Sequence, residues 1–212
     1  NVGAKPWTRA TGLLSVWILG MYTPSPDCRV LVPFDPAATG PIVNDAYFGK
    51  VPSDRLDVHE RDGWLSLLAD GKYRSKIGVA PARTRGALGS FSPTSHLLTL
   101  VRWDDSPLGA PNGYVNSMWS RQADPFGGDV VNSYNDGPTE PGKPSLGGFY
   151  ELETSSPAAA LAPGESLEHV HTTLHATGAA ASLEPLARRV LGVSVTQLEG
   201  SRGSGAASPP DP

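Results

Sequence analysis

The sequence predicts an all-β protein, an antiparallel β-sandwich that ends in a short C-terminal helix. Short segments rich in β-branched and aromatic residues recur along the chain, and Gly, Pro, Asn or Asp separates each from the next. No helical pattern lies between these segments, which is typical of a sandwich or barrel. The chain holds 24 glycines and 21 prolines, yet Trp, Leu, Val and Ile persist along most of it. This composition favours many turns between ordered segments over disorder.

Seven segments carry the strand pattern. In chain order they read LLSVWILGMY, RVLVPF, SHLLTLVRW, GYVNSMW, GDVVNSY, GFYELET and EHVHTTLH. We expect them to belong to one sandwich domain over residues 1–181. Because no internal repeat is visible, the sequence favours a single sandwich over a repeat architecture.

The segment after the sandwich carries a helical pattern. Its apolar residues recur at helical spacing, Ser182 is a candidate N-cap, Pro185 falls in the expected first turn and Gly192 would end the helix. We expect helical structure over residues 182–199, packed on the sandwich. The remainder, 200–212, is of low complexity and is expected to be a disordered tail.

Charge and composition exclude several classes of protein. The 17 basic and 21 acidic side chains give a formal charge of -4, whereas nucleic-acid binding normally requires a basic face. No segment approaches the roughly 20 apolar residues of a membrane span. Cys28 is the only cysteine, so an intrachain disulfide is excluded and the redox compartment is left open. The sequence therefore does not choose between periplasm and cytoplasm.

Two carboxylates two residues apart, Glu151 and Glu153, form the first candidate catalytic group. Side chains at this spacing on a strand share a face, while Tyr150 and Leu152 point the other way. Like charges this close raise each other's pKa, and a carboxylate with a raised pKa can act as a general base near neutral pH. The alternative is a solvated sheet face with two ordinary carboxylates, which alternation alone favours.

Three histidines, His169, His171 and His175, share one face of the last predicted strand. His171 is a candidate catalytic acid, and His169 is a candidate sugar contact. We expect both to lie beside Glu151 and Glu153 on a neighbouring strand. Imidazole and carboxylate are suitable zinc ligands, so a divalent metal held by His169, His171 and Glu151 is left open, and no other cofactor is predicted. The alternative is the exposed polar face of an edge strand.

A row of cations, Lys72, Arg74 and Lys76, occupies alternate positions before the middle of the chain. Adjacent cations repel unless acids or a bound anion compensate them. The functional interpretation is recognition of an acidic or polyhydroxylated sugar, with Arg74 binding a carboxylate in bidentate fashion. The alternative pairs the row with acids of the next strand, such as Asp129 or Asp136.

Asn135 and Asp136 precede a Gly-Pro pair and are further candidate substrate contacts. Asp-Gly favours a tight turn, so a structural role alone accounts for the motif, although Asn and Asp also supply the donors and acceptors that sugars need. Trp17, Trp103 and Trp119 could stack on the apolar face of a sugar, with Trp17 the first choice. Large aromatic residues in strands more often belong to the core.

Two stretches resemble the galactose mutarotase-like superfamily. NVGAKPWTRATGLLSVWILGMY is similar to a central strand in which N-x-G-x-x-P leads into an apolar segment facing the sugar pocket. YELETSSPAAALAPGESLEHVHTTLH is similar to the end of the domain, where a strand ending in Leu-Glu-Thr is followed by an apolar segment, a turn and a closing strand. Phrases such as DGKYRSKIGVAPAR and GDVVNSYNDGP look like a bacterial branch of the superfamily, so the resemblance extends as far as the predicted helix.

The resemblance implies a mutarotase-like β-supersandwich and a role for Glu153. In aldose 1-epimerases the Glu of Leu-Glu-Thr takes the proton of the anomeric hydroxyl, and Glu153 matches it. In these enzymes a His that acts as the general acid follows the N-x-G-x-x-P segment. Residues 14–19 of this chain contain no His. Complete members also carry strands before this segment. We therefore expect exposed sheet edges that partner strands or a second copy of the chain would cover.

The expected function is that of a carbohydrate-active protein of the mutarotase-like superfamily, using acid/base chemistry with Glu153 as the base. The reaction classes left open are epimerisation or mutarotation, elimination and hydrolysis. The alternative is a non-catalytic carbohydrate-binding or accessory domain, which the missing His favours.

Overall fold

The computed structural model describes residues 1–104, 111–140 and 142–200, which fold into ten strands and two helices. The strands are β1 (Trp17–Tyr22), β2 (Arg29–Pro33), β3 (Leu56–His59), β4 (Trp64–Leu68), β5 (Ser75–Val79), β6 (Ala87–Ser92), β7 (Leu97–Trp103), β8 (Val131–Asn135), β9 (Tyr150–Ser155) and β10 (His171–Thr177). The helices are α1 (Ala180–Leu191) and α2 (Val195–Gly200).

The strands form two antiparallel sheets. The smaller sheet has the order β1-β9-β8-β5, and the larger has the order β10-β7-β6-β2-β4-β3. The all-β class with a short C-terminal helix is therefore confirmed. None of the helices in the described ranges is long and apolar enough to cross a membrane.

Alternation along β2 explains how the larger sheet is buried on both faces. Val30 and Val32 point into the core between the sheets, where they meet Ile77 and Leu152 of the smaller sheet. Leu31, between them, points to the other face and belongs to a second core under the helices. The residues that close this second core from the helical side are Ala180, Leu183, Ala187, Leu191, Val193 and Val195.

The C-terminal helix is present, but it begins earlier than predicted. Its N-cap is Ala179, with extended backbone angles, and Ser182 lies inside the first turn. The expected N-cap at Ser182 is wrong because Ala180 is buried against the larger sheet and alanine favours helix. Pro185 is consequently in the second turn. Gly192 adopts the left-handed conformation with φ 70°, which confirms the predicted helix end.

The strand prediction fails in the segment GYVNSMW. Only Tyr114 forms a bridge there, to Gly127. The Asn116 side-chain oxygen accepts a hydrogen bond from the Met118 N–H at 3.0 Å, and this local turn replaces a strand ladder. The structure also contains β3, β4, β5 and β6, which were not among the seven predicted segments. Of the predicted tail, residue 200 ends α2, and residues 201–212 lie outside the described residues.

Candidate functional site

The outer face of the smaller sheet carries a row of polar and aromatic side chains. The strand register places Lys76 opposite Tyr134, Tyr134 opposite Glu151, and Glu151 opposite Met21. One step along, Glu153 lies opposite Asn132 and Leu19. Because alternate residues share a face, Glu151 and Glu153 stand on the same side as Lys76 and Trp17. The predicted shared face of the two carboxylates is confirmed.

Glu153 lies against this face of the sheet, beneath Lys76 and Trp17, and is fully buried. Its Oε2 accepts a hydrogen bond from Lys76 Nζ at 2.8 Å and one from Trp17 Nε1 at 2.9 Å. The Lys76 ammonium also lies 4.8 Å from the centre of the Trp17 ring and 5.3 Å from that of Tyr47. The partner of Lys76 is thus Glu153, two strands away, rather than the predicted Asp129 or Asp136.

Glu151 is half-buried beside this pair, and its pKa is raised to about 7. Burial is the largest cause, followed by the negative charge of Glu153, whereas Lys76 acts in the opposite direction. A proton shared with Glu153 also raises the pKa of Glu151. Two carboxyl groups can be hydrogen-bonded only when one of them carries a proton. Near neutral pH, Glu151 therefore exchanges a proton readily.

Three connections between strands cover the sheet face and close a cavity of about 160 Å³. The lining is mostly aromatic, with two cations and one carboxyl group, and consists of Trp17, Leu19, Tyr47, Phe48, Arg74, Lys76, Ser117, Trp119, Tyr134, Leu146, Phe149 and Glu151. Trp119 stands at its edge with 82% of its surface exposed. Large exposed aromatic rings beside buried charges are typical of ligand sites.

The loop that carries Tyr47 is held by Asp129. One carboxylate oxygen of Asp129 accepts hydrogen bonds from Tyr47 Oη at 2.7 Å and from Asn44 Nδ2 at 3.0 Å. Burial raises the pKa of Asp129, and burial together with the Asp129 charge raises that of Tyr47. A side chain at Gly78 would place its Cβ only 2.0 Å from the same carboxylate oxygen. Glycine at this strand position therefore makes room for the anchor of the loop.

Several polar atoms at this cavity lack a protein partner. Five buried side-chain atoms of the described residues have no hydrogen-bond partner. Arg74 Nε and Ser117 Oγ belong to residues that line the cavity, and Glu153 Oε1 belongs to the carboxylate below it. Buried polar groups are normally satisfied, so such a concentration indicates a place where a ligand or a proton supplies the missing contact.

The histidines lie elsewhere, which contradicts their predicted position beside the carboxylates. β10 pairs with β7 in the larger sheet, not with β9. His169 and His171 approach the Thr154 hydroxyl at 2.9 and 2.8 Å, and Thr154 points away from the Glu151–Glu153 face. Burial lowers the pKa of both imidazoles.

The metal site suggested for His169, His171 and Glu151 is therefore not formed, because the sheet separates the imidazoles from the carboxyl group. Within the described residues, no group of three or more His, Cys, Asp or Glu side chains is placed to hold a metal ion.

Three other predicted contacts also fall outside the cavity. Asn135 and Asp136 are fully buried, and their side chains bind backbone groups: Asn135 bridges Gly71 and Tyr73, and Asp136 accepts from the loop at 146–148. Although burial opposes it, hydrogen bonding to these backbone N–H groups lowers the pKa of Asp136. Both residues thus have structural roles. Lys72 is exposed in the turn before β5, because the strand begins only at Ser75.

A larger groove of about 740 Å³ lies on the larger sheet, near α2. Several of its charged groups have partners within the protein: His59 Nε2 lies 3.0 Å from Asp57 Oδ2, and Arg29 donates to Ser66 Oγ. None of the unpartnered buried atoms belongs to its lining. Chemistry rather than size therefore identifies the cavity of the smaller sheet as the candidate site.

The comparison with protein families gives one match. The model of a family described as a family of unknown function, DUF6786, matches residues 1–201. No curated protein and no solved structure matches the chain.

Proposed function

The chain belongs to the DUF6786 family, and from its cavity we propose a carbohydrate-active protein in which Glu151 exchanges a proton with a bound sugar. The observation that carries this proposal is the Glu151–Glu153–Lys76 group beneath an aromatic cavity. Aromatic rings and a few convergent polar groups are the usual composition of a sugar site. A carboxyl group with a pKa near the working pH is suited to acid/base catalysis.

The two carboxyl groups have different roles in this function. A general acid or base must reach the atom with which it exchanges the proton. Glu151 lines the cavity, whereas Glu153 is fully buried under Lys76 and Trp17. We assign proton transfer to Glu151 and treat Glu153, the predicted base, as the positioning residue that raises the pKa of Glu151.

The mutarotase-like relationship is part of the same proposal. The two-sheet antiparallel architecture supports it, as does the Leu-Glu-Thr strand, which directs Glu153 to the pocket face. No histidine is among the cavity residues, so the ring-oxygen acid of aldose 1-epimerases has no counterpart in the described lining. Proton exchange at a hydroxyl group or an activated carbon fits the site better than simple mutarotation.

The test is a Glu151→Gln variant, because glutamine keeps the shape of the side chain but cannot exchange a proton. Saccharide binding is followed by ligand-detected NMR, and turnover by the appearance of new sugar resonances. We expect Glu151→Gln to bind sugars but to lose turnover at least a hundredfold, within the usual range for a general acid or base. Glu60→Gln, at an exposed position, is the matched control.

A non-catalytic sugar-binding domain is the second candidate. The exposed Trp119 and Trp17 rings beside the cavity favour it, because they provide stacking surfaces without requiring chemistry. Binding of sugars by the unchanged protein without any product would select this function over the first. If no saccharide bound at all, both would be rejected.

A further inference from the structure

Arg74 lines the cavity and is held chiefly by aromatic rings. Its guanidinium lies 4.1 Å from the centre of the Phe48 ring and 5.7 Å from that of Trp119. It forms no ion pair with a carboxylate among the residues that the structure describes. Its Nε is buried and has no hydrogen-bond partner. The aromatic rings stabilise the positive charge, but they leave hydrogen-bond donors unused.

The other semi-buried arginines find acceptors within the protein, although Arg55 Nε, like Arg74 Nε, has no hydrogen-bond partner. Arg83 donates to three backbone carbonyls, of Asp35, Gly40 and Pro41. Arg55 pairs with Asp70. Arg74 instead interacts with the Tyr134 phenol, whose pKa burial nevertheless raises to about 12. Aromatic rings and the Tyr134 hydroxyl thus hold Arg74, and its Nε is left without an acceptor.

The carboxylates around the cavity have partners other than Arg74. Glu153 neutralises Lys76, and Glu151 is partly protonated near neutral pH. Asp136 is connected to Arg74 through Tyr134, but its oxygens accept hydrogen bonds from Tyr134 and from the 146–148 backbone. Arg74 can therefore form a direct ion pair with a ligand anion. Guanidinium groups bind carboxylates through two parallel hydrogen bonds.

Resting on the proposed function, we infer that the sugar is acidic: a single uronate ring whose carboxylate binds the edge of Arg74. The cavity of about 160 Å³ is smaller than the roughly 300–1,000 Å³ of pockets for drug-sized ligands, so it accommodates one ring. Trp119, at the cavity edge, is available to stack on the apolar face of that ring. The bound carboxylate would supply the acceptors that Arg74 lacks.

The experiment compares D-glucuronate and D-galacturonate with D-glucose and D-galactose by calorimetric titration of the full chain. We expect the uronates to bind at least tenfold more tightly, because hydrogen bonds between charged groups are roughly twice as strong as those between neutral groups. The methyl ester of D-glucuronate, which is neutral, should lose this advantage. Arg74→Lys keeps the charge without the fork and should weaken uronate binding roughly tenfold. Arg189→Lys, exposed on α1, is the matched control.

The outcomes separate the inference from the function on which it rests. Equal binding of acidic and neutral sugars would overturn the acidic ligand and leave a carbohydrate site. Failure of all four sugars to bind would overturn both. The methyl ester is compared on the unchanged protein, so that result stands even if Arg74→Lys folds poorly.

Discussion

Lys76 and Glu153 form an ion pair that is removed from water at both ends. The side chain of Lys76 is 8% exposed and that of Glu153 is 0% exposed. Removing two charges from water costs free energy that their attraction only partly returns, so such a pair is weak evidence of net stabilisation. In this site the effect of the ion pair is to hold side chains in position. Trp17, Lys76 and Glu153 fix one another, and the Glu153 charge contributes to the raised pKa of Glu151.

Single and double substitutions of this pair test the interdependence. Lys76→Met or Glu153→Gln alone should lower the free energy of unfolding by about 3–5 kcal/mol, because each removes the partner of a buried charge. The double variant should lose clearly less than the sum of the two, since it leaves no buried charge unpaired. Urea unfolding at constant pH measures all four proteins. Additive losses would show that the two charges are not coupled.

The raised pKa of Glu151 should make the stability of the protein depend on pH. A carboxyl group whose pKa is higher in the folded state binds more protons there, so its contribution is present below the unfolded pKa and is lost as pH rises. Between about pH 4.5 and 7, Glu151 should therefore reduce stability as pH increases. The Glu151→Gln variant should lack that part of the decline. Urea midpoints of both proteins at several pH values provide the measurement; parallel pH profiles would contradict the raised pKa.

At the residue scale, alternation in the sequence identified only part of the site. It placed Glu151 and Glu153 on one face and included Arg74 and Lys76 in a cationic row, and all four lie at or beneath the cavity. Alternation cannot show which strand lies next to which. His169 and His171 were expected on a strand next to that of Glu151 and Glu153, yet β9 and β10 belong to different sheets.

At the scale of elements, the approach of a loop to a strand depends on one glycine. Gly78 on β5 lies opposite Asn132, and a Cβ at this position would also come within 2.7 Å of the Asn132 amide nitrogen. Residue 78 must therefore lack a side chain if Asp129 and Asn132 are to bind Tyr47. The loop, and with it one wall of the cavity, depends on this contact between strand and side chain.

Gly78→Ala should consequently displace Asp129 and release the Tyr47 loop. We expect a loss of about 1–3 kcal/mol in the free energy of unfolding, which is typical of overpacking, and a larger loss of ligand binding than of stability. Gly147→Ala is a suitable control, because its added Cβ would meet nothing closer than 3.7 Å. Thermal unfolding and sugar titration of both variants make the comparison. Unchanged binding in Gly78→Ala would show that the loop does not need this anchor.

The loops explain why the cavity wall escaped prediction. GYVNSMW has the composition of a strand, but the Asn116 turn makes it a loop that brings Ser117 and Trp119 over the sheet. Tyr47 and Phe48 arrive from another connection, far away in sequence. A pattern of alternating residues contains information about faces of regular strands. The same pattern says little about where loops cross the strands, because contacts with distant side chains such as Asp129 determine the positions of the loops.

At the scale of the whole molecule, the larger sheet joins two cores. Its strands β2, β6 and β7 contribute Val30, Leu88 and Val101 to the core between the sheets. The same strands contribute Leu31, Phe91, Leu98 and Leu100 to the core under α1. The sequence revealed both layers separately, through strand-like runs and a helical spacing. The strand order shows that the larger sheet is covered on both sides. The sequence did not predict this order. The covering of the sheet edges by a second copy or by partner strands stays a prediction.

Because the two cores share strands, damage to the helical layer should be transmitted to the entire sandwich. Leu191 is 3% exposed and packs over Gly89, where an added Cβ would lie 3.0 Å from Leu191 Cδ1. Leu191→Ala should cost about 2–5 kcal/mol, as large-to-small changes in cores do. Leu186→Ala, in the same helix but only partly buried, should cost less and controls for helix propensity.

Tryptophan fluorescence and far-UV circular dichroism should report the same urea midpoint for Leu191→Ala, shifted from that of the unchanged protein. Four of the five tryptophans, including the buried Trp103, lie outside the core that contains the substitution, so fluorescence reports mainly on the sandwich. Coincident transitions would mean that the helices and both sheets unfold as one cooperative unit. If the circular dichroism changed first while fluorescence kept its original midpoint, the helices would instead be a separable layer. In that case β2, β6 and β7 would hold the sandwich, and its cavity, without them.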